Sequence, residues 1–171
     1  LFGGPKNITM MMHQWYGSGD RSPGARERQY LASYRRAYTE LDHLLSPEMR
    51  DHIEPRRDLE GILTPFFEAE APVSFLDKLL AINLRLKGAH LILPKIERML
   101  GAWGVTPLSP LFDERLVRLS FSMPGQLKLR GGIEKIALKR AYVDRLPPEI
   151  IARPKSGMRV PVHHWFQDEL R

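Results

Sequence analysis

The segment from Ser74 to Lys87 constrains the fold more than any other. Phe75, Leu79, Ile82 and Leu86 form one row at helical spacing, and Leu76, Leu80 and Leu84 form the next. Two adjacent apolar rows give a helix a wide buried face. Ser74 is placed to cap its start and Gly88 to cap its end. The same periodicity predicts a helix over Arg26–Leu45, with Tyr30, Tyr34, Ala37, Tyr38, Leu41, Leu44 and Leu45 on one face. A short helix follows Ser46-Pro47. Another spans Asp58–Phe67, where Pro65 is expected to kink or shorten it. Leu93–Trp103 reads as a helix closed by Gly104, and Asp113 as the cap of a helix stopped by Pro124-Gly125.

Gly131-Gly132 reads as the opening of a helix from about Ile133 to Arg145. Pro147-Pro148 starts a turn through Ile151, Arg153–Pro161 reads as irregular, and Pro161–Leu170 as a last helix. Residues 8–25, rich in Gly, Ser and Met, read as a loop. No stretch is predicted as a strand, and no internal repeat appears. The fold class is therefore mainly α. The pieces suit either a freestanding bundle or the helical cover of an α/β domain whose sheet lies upstream. In organisation, 1–25 is a loop-rich start, 26–91 is helical, and 92–171 carries the motifs of a single helical fragment.

The 171 residues are enough for one ordinary domain. No apolar run is long enough to span a membrane, so no membrane partner is expected. Cysteine is absent, which excludes disulfides and thiolate zinc sites. Cytoplasm is the default location. The net charge of +6 suits anionic partners, or is simply a basic solvated surface. Leu1-Phe2 makes a poor free start, the first residues do not read as a signal peptide, and both ends read as cut. The chain is expected to be the C-terminal part of a larger protein.

In Leu129-Arg130-Gly131-Gly132-Ile133-Glu134-Lys135, a glycine pair opening a helix with lysine in its first turn suits a phosphate. Without an anion, that lysine opposes the helix dipole. Lys139, one turn on, would extend the positive field. The plain alternative is an exposed lysine beside a turn. It is not a Walker A loop, because the spacing is wrong. Arg153-Pro154-Lys155-Ser156-Gly157-Met158-Arg159 reads as a basic loop that could close over an anion or merely face solvent. Glu97 and Arg98 are adjacent and project apart, and a structural salt bridge is their expected role. The histidines are scattered and no metal site is expected from them. The Tyr30/Tyr34/Tyr38 stripe reads as core.

Taken in order, these pieces resemble the synthetase domain of glutamine-dependent asparagine synthetases. Leu1-Phe2-Gly3-Gly4 is similar to the end of that family's Gly-Glu-Gly-x-Asp-Glu-Leu-Phe-Gly-Gly motif. Leu93-Pro94-Lys95-Ile96-Glu97-Arg98-Met99 resembles its Leu-x-x-Lys-x-Asp-Arg-x-Ser-Met. Ser109-Pro110-Leu111-Phe112-Asp113 is similar to its Pro-Phe-Leu-Asp, and Lys135-Ile136-Ala137-Leu138-Lys139 to its Lys-x-x-Leu-Arg. Leu146-Pro147-Pro148-Glu149-Ile150 followed by Arg153-Pro154-Lys155-Ser156-Gly157-Met158 resembles its Leu-Pro-x-x-Ile…Arg-x-Lys-x-Gly-Phe run, and Trp165 fits the tryptophan beyond it. Each motif is weak alone; their order along the chain makes them strong together.

The resemblance implies the helical C-terminal portion of a PP-loop, adenine-nucleotide α-hydrolase-like α/β domain. It implies ATP and Mg²⁺, adenylation of a carboxylate such as aspartate, and attack on the acyl-adenylate by ammonia or another amine. The ammonia would come from a glutaminase domain in cis or trans, and the assembly could be a homodimer. Lys135 aligns with the family lysine at the phosphates and reacting centre. Gly132, Lys139, Arg153 and Lys155 would line the phosphate or intermediate, while Glu97, Arg98 and Asp113 would be structural. Departures are plain: Thr106 and Leu108 replace a Glu-x-Arg pair, Glu97 stands for aspartate, and Leu100-Gly101 replaces Ser-Met. The pyrophosphate loop is not in this sequence, so the isolated chain is expected to be inactive. Two rivals are a basic helical nucleic-acid-binding module, whose affinity would fall steeply with salt, and a non-catalytic family member.

Overall fold

The computed structural model describes residues 8–32, 34, 39–40, 43–53, 58–72, 74–154, 162–168 and 170. The chain divides into two units, Leu1–Ala137 and Leu138–Arg171.

In the first unit the core is built by four helices: α1 (Ile8–Ser18), α2 (Ala25–Leu31), α4 (Leu59–Glu68) and α5 (Phe75–Ile82), with α3 (Pro47–Ile53) between the second and third. Met11, Tyr30, Leu63, Phe67, Leu79 and Ile82 are its buried cluster, and Ile8, Met12, Leu31, Phe66, Phe75 and Leu86 pack against it. Leu79 and Ile82 are fully buried, so the wide apolar face of α5 is the centre of the unit. Ser74 caps α5 through its side chain, which accepts the Asp77 N–H. Asp58 caps α4 by accepting the Gly61 N–H at 2.7 Å. Ser46 accepts the Met49 N–H at the start of α3. These are the local hydrogen bonds that replace missing intrahelical acceptors.

Three expectations change here. Residues 8–18 are helical, not loop. Burial of Met11 and the stacking of Trp15 on Phe75, centroids 5.0 Å apart, supply tertiary stabilisation that the local composition does not reveal. The long helix expected over Arg26–Leu45 is interrupted: α2 ends at Leu31, and the Tyr34 N–H turns back to the Leu31 carbonyl. Tyr30 is buried while Tyr34 is half exposed, so the tyrosine row does not share one core; Ala37, Tyr38 and Leu41 lie outside the described residues. Pro65 does not shorten α4, which runs to Glu68. Leu63 and Phe67 on either side of it are buried, and that packing offsets the lost hydrogen bond.

Gly88 is not a cap. Helix α5 continues into a π-helical stretch, Asn83–Ile92, and that into α6 (Leu93–Gly101). Gly88 is buried within the π stretch, and a Cβ there would stand 2.7 Å from Cε1 of Phe112. Close approach of the ring, not a left-handed backbone, is what requires glycine. Gly104, in contrast, does close its helix. Its φ is +68°, its N–H bonds the Gly101 carbonyl, and the Val105 N–H bonds the Leu100 carbonyl, the paired pattern of a left-handed helix stop.

Beyond a 3₁₀ turn (Pro110–Phe112), the first unit holds α7 (Glu114–Ser122), α8 (Gly125–Lys128) and a two-stranded antiparallel hairpin, β1 (Leu129–Arg130) with β2 (Ile133–Glu134). Helix α9 (Ile136–Ala141) crosses the unit boundary. The second unit adds α10 (Pro148–Ala152), begun after Pro147 as expected, and α11 (Val162–Gln167). Among the described residues, none after Gly88 is buried. The architecture is mainly helical, with the hairpin as the strand content the sequence did not reveal.

Candidate functional site

The glycine pair closes a hairpin instead of opening a helix. Leu129 pairs with Glu134 and Arg130 with Ile133, leaving Gly131 and Gly132 as the two-residue loop. Their φ values are +56° and +79°. Two left-handed residues in succession make the tight turn whose twist matches paired strands, and glycine adopts them without steric conflict. The first helical residue is therefore Ile136, not Ile133, and Lys135 stands at the junction of hairpin and helix instead of inside the first turn.

Lys135 itself has a φ of +61°. For a residue with a side chain, that conformation costs on the order of 1–2 kcal/mol. A compensating bond is visible: the Lys135 N–H donates to the Lys128 carbonyl at 2.8 Å, which extends the hairpin by one rung. The Lys135 side chain is exposed, and among the described residues no hydrogen-bonding or ionic partner holds its ammonium. A cation fixed by its backbone and open at its tip is chemically suited to an oxyanion.

The stem of the hairpin is anchored on the core. Lys128 Nζ lies 2.5 Å from Asp77 Oδ1, with the two side chains 8% and 15% exposed. The other oxygen, Asp77 Oδ2, accepts the Ser74 hydroxyl at 2.7 Å. Sequence reasoning missed this pair. Its members are 51 positions apart, and neither stands in a motif.

The remaining candidates are distributed. Gly132 is in the turn. Lys139 is half-buried and Arg153 is exposed; both belong to the second unit. Lys155 lies outside the described residues, as do the rest of the basic loop to Pro161 and the Leu1–Gly4 motif. Glu97 and Arg98 are both exposed on α6, and among the described residues neither forms the ion pair expected of it. Adjacent helix positions point apart.

Asp113 does cap α7. Its side chain accepts the Arg115 N–H at 2.9 Å and pairs with Arg115 Nε at 3.0 Å. The Arg115 side chain first, then its backbone N–H, hold the Asp113 carboxyl below the ordinary carboxylate range. Just before Asp113, Phe112 seats its ring against Gly88, which fixes the Pro-Leu-Phe-Asp motif to the π stretch. Thr106 and Leu108 lie exposed in the extended connection leading to it. Among the described residues no three His, Asp or Glu side chains converge. No helix among them is long and apolar enough to cross a membrane.

Compared with known families, residues 4–171 match asparagine synthase. The chain is 23% identical over 130 residues to asparagine synthetase (glutamine-hydrolyzing) 1 of Bacillus subtilis strain 168, covering 76% of this chain and 21% of that protein. It is 23% identical over 154 residues to a Mycobacterium bovis protein named "Putative asparagine synthetase (glutamine-hydrolyzing)", covering 90% and 21%. The same values hold for the protein of that name in Mycobacterium tuberculosis H37Rv. The chain spans about a fifth of the length of these curated relatives. No solved structure matches it.

Proposed function

This chain belongs to the asparagine synthase family, and we propose that it forms the helical part of the PP-loop synthetase domain of a cytoplasmic, ATP-dependent, amide-forming ligase. ATP is the substrate that activates a carboxylate by adenylation, with Mg²⁺ held by parts of the protein beyond this chain. Ammonia or another amine, supplied through a glutaminase domain in cis or trans, then forms the amide. Asparagine biosynthesis is the parent chemistry, and the same resemblance supports a homodimeric assembly.

The observation that carries the reading is Lys135. The family motif places a lysine at the phosphates, and here that residue is an exposed ammonium on a backbone set by a glycine turn and a rung to Lys128. Such a cation acts by stabilising charge that develops on phosphate oxygens as the carboxylate attacks. At about 4 Å and an effective dielectric of about 20, the attraction is about 4 kcal/mol. Because the backbone is already in place, little reorganisation is needed during reaction. Lys139, Arg153 and Lys155 are proposed as further phosphate or intermediate contacts, and Gly132 as the turn that lets the ligand approach the backbone.

Thr106 and Leu108, in place of the family's acid–base pair, favour a carboxylate other than aspartate. They also motivate a second reading, a family member that keeps the fold without the reaction. Carboxylate-dependent exchange of pyrophosphate into ATP by the whole protein separates the two. The ligase reading expects exchange with at least one small carboxylic acid, and a loss of about 100-fold or more in kcat for Lys135→Ala. Absence of exchange with every acid tried supports the non-catalytic reading. Exchange that survives Lys135→Ala removes the role given to that residue. The isolated chain is expected to give none.

A further inference from the structure

We infer that Asp77 is a positioning residue for Lys135, acting through Lys128. The inference rests on the catalytic reading of Lys135 and deepens it. The chain of contacts is continuous. The Ser74 hydroxyl, which caps the most deeply buried helix of the core, donates to Asp77 Oδ2 at 2.7 Å. Asp77 Oδ1 holds Lys128 Nζ at 2.5 Å. The Lys128 carbonyl accepts the Lys135 N–H at 2.8 Å. Both oxygens of the carboxylate are thus used, one on the helix cap and one on the hairpin stem.

No buried apolar residue performs this task in the hairpin. Leu129 is half-buried, while Arg130, Gly131, Gly132 and Ile133 are exposed. The side chains of Lys128 and Asp77 are 8% and 15% exposed, so solvent screens the pair little. Lys128 Nζ also lies 5.6 Å from the centroid of the Phe121 ring, a second contact that limits where the stem can go. A two-stranded ribbon of this length is not stable alone, and its orientation depends on what ties it down.

The test uses the whole protein carrying Asp77→Asn, and the double variant Asp77→Asn/Lys128→Met, which removes both charges and leaves none buried unpaired. Amide exchange by mass spectrometry is read on residues 128–136 and on Leu59–Glu68, with kcat and KM for carboxylate-dependent pyrophosphate exchange. For both variants, hairpin exchange should accelerate about tenfold or more while Leu59–Glu68 is unchanged. Both should lower kcat about tenfold or more with KM within about twofold. Unchanged hairpin exchange in Asp77→Asn overturns the tether. Recovery of kcat in the double variant, together with its melting temperature, reduces the pair to a structural role and overturns the inference. A loosened hairpin with undiminished kcat also overturns it. Lys135→Ala then tells which step failed: if that variant is inactive the tether is not needed for catalysis, and if it is active the reading of Lys135 was wrong.

Discussion

Replacing Gly88 by alanine should change the sign of its effect according to what stands at position 112. The added Cβ would meet Phe112 Cε1 at 2.7 Å and Cζ at 3.0 Å, closer than carbon atoms approach without displacement. Alanine should also gain about 1 kcal/mol over glycine from helix propensity. Phe112 is 39% exposed, so its ring can swing out, at the expense of the packing it now has. Full burial of such a side chain contributes about 1.5–3 kcal/mol, so the part at risk is about 1–2 kcal/mol. In the wild-type background the two terms oppose, and Gly88→Ala should destabilise by about 0–1 kcal/mol. In a Phe112→Ala background the obstacle is gone and the same substitution should stabilise by about 1 kcal/mol. The coupling, about 1–2 kcal/mol, is measurable in a double-mutant cycle from urea melts followed by circular dichroism at 25 °C. A glycine kept as a helix stop would instead lose stability in both backgrounds. That result, or a gain in both, would refute the contact between Gly88 and Phe112 as the reason for the glycine.

Leu79→Ala should cost about 2–5 kcal/mol, because Leu79 is fully buried, whereas Leu119→Ala, at a half-exposed position of α7, should cost far less; the urea midpoints compare them directly. Burial first, and then the nearby Tyr34 phenol, push the Tyr30 phenol well above its ordinary value. A raised value means that its contribution is complete below about pH 10 and is lost as pH rises through the folded-state value, so alkaline melts should show a loss that Tyr30→Phe lacks. The lowered Asp113 carboxyl works the other way: its contribution is present above the ordinary carboxylate range and is lost as acid protonates it. Asp113→Asn should therefore flatten the acid limb of the melt, and an unchanged limb would deny the carboxylate that part.

What was legible in the sequence was local. Ser46, Ser74, Asp58 and Asp113 each signal a helix start within three residues, and Gly104 signals a stop, because a cap is satisfied by its own neighbours. What was not legible depends on distant partners. Gly88 has the position of a cap, but a ring 24 positions away, Phe112, gives it another use. The helix at Ile8–Ser18 depends on Phe75 and the core. Gly131-Gly132 suits a helix entry or a hairpin turn equally, and the register Leu129↔Glu134 decides. For the candidate site, the motif order pointed to the family, whereas the left-handed backbone of Lys135 and its link to Asp77 had no counterpart in residue spacing.

Among the described residues, the confinement of the buried ones to the stretch ending at Gly88 carries a lesson for protein engineers. Apart from Phe112, Asp113, Lys128 and the Gly131-Gly132 turn, the exposed side chains from Leu93 to Pro154 can be exchanged with little penalty to the core. Surface libraries that must leave the packed helices intact belong in that stretch, and a variant there that melts normally has left the core alone.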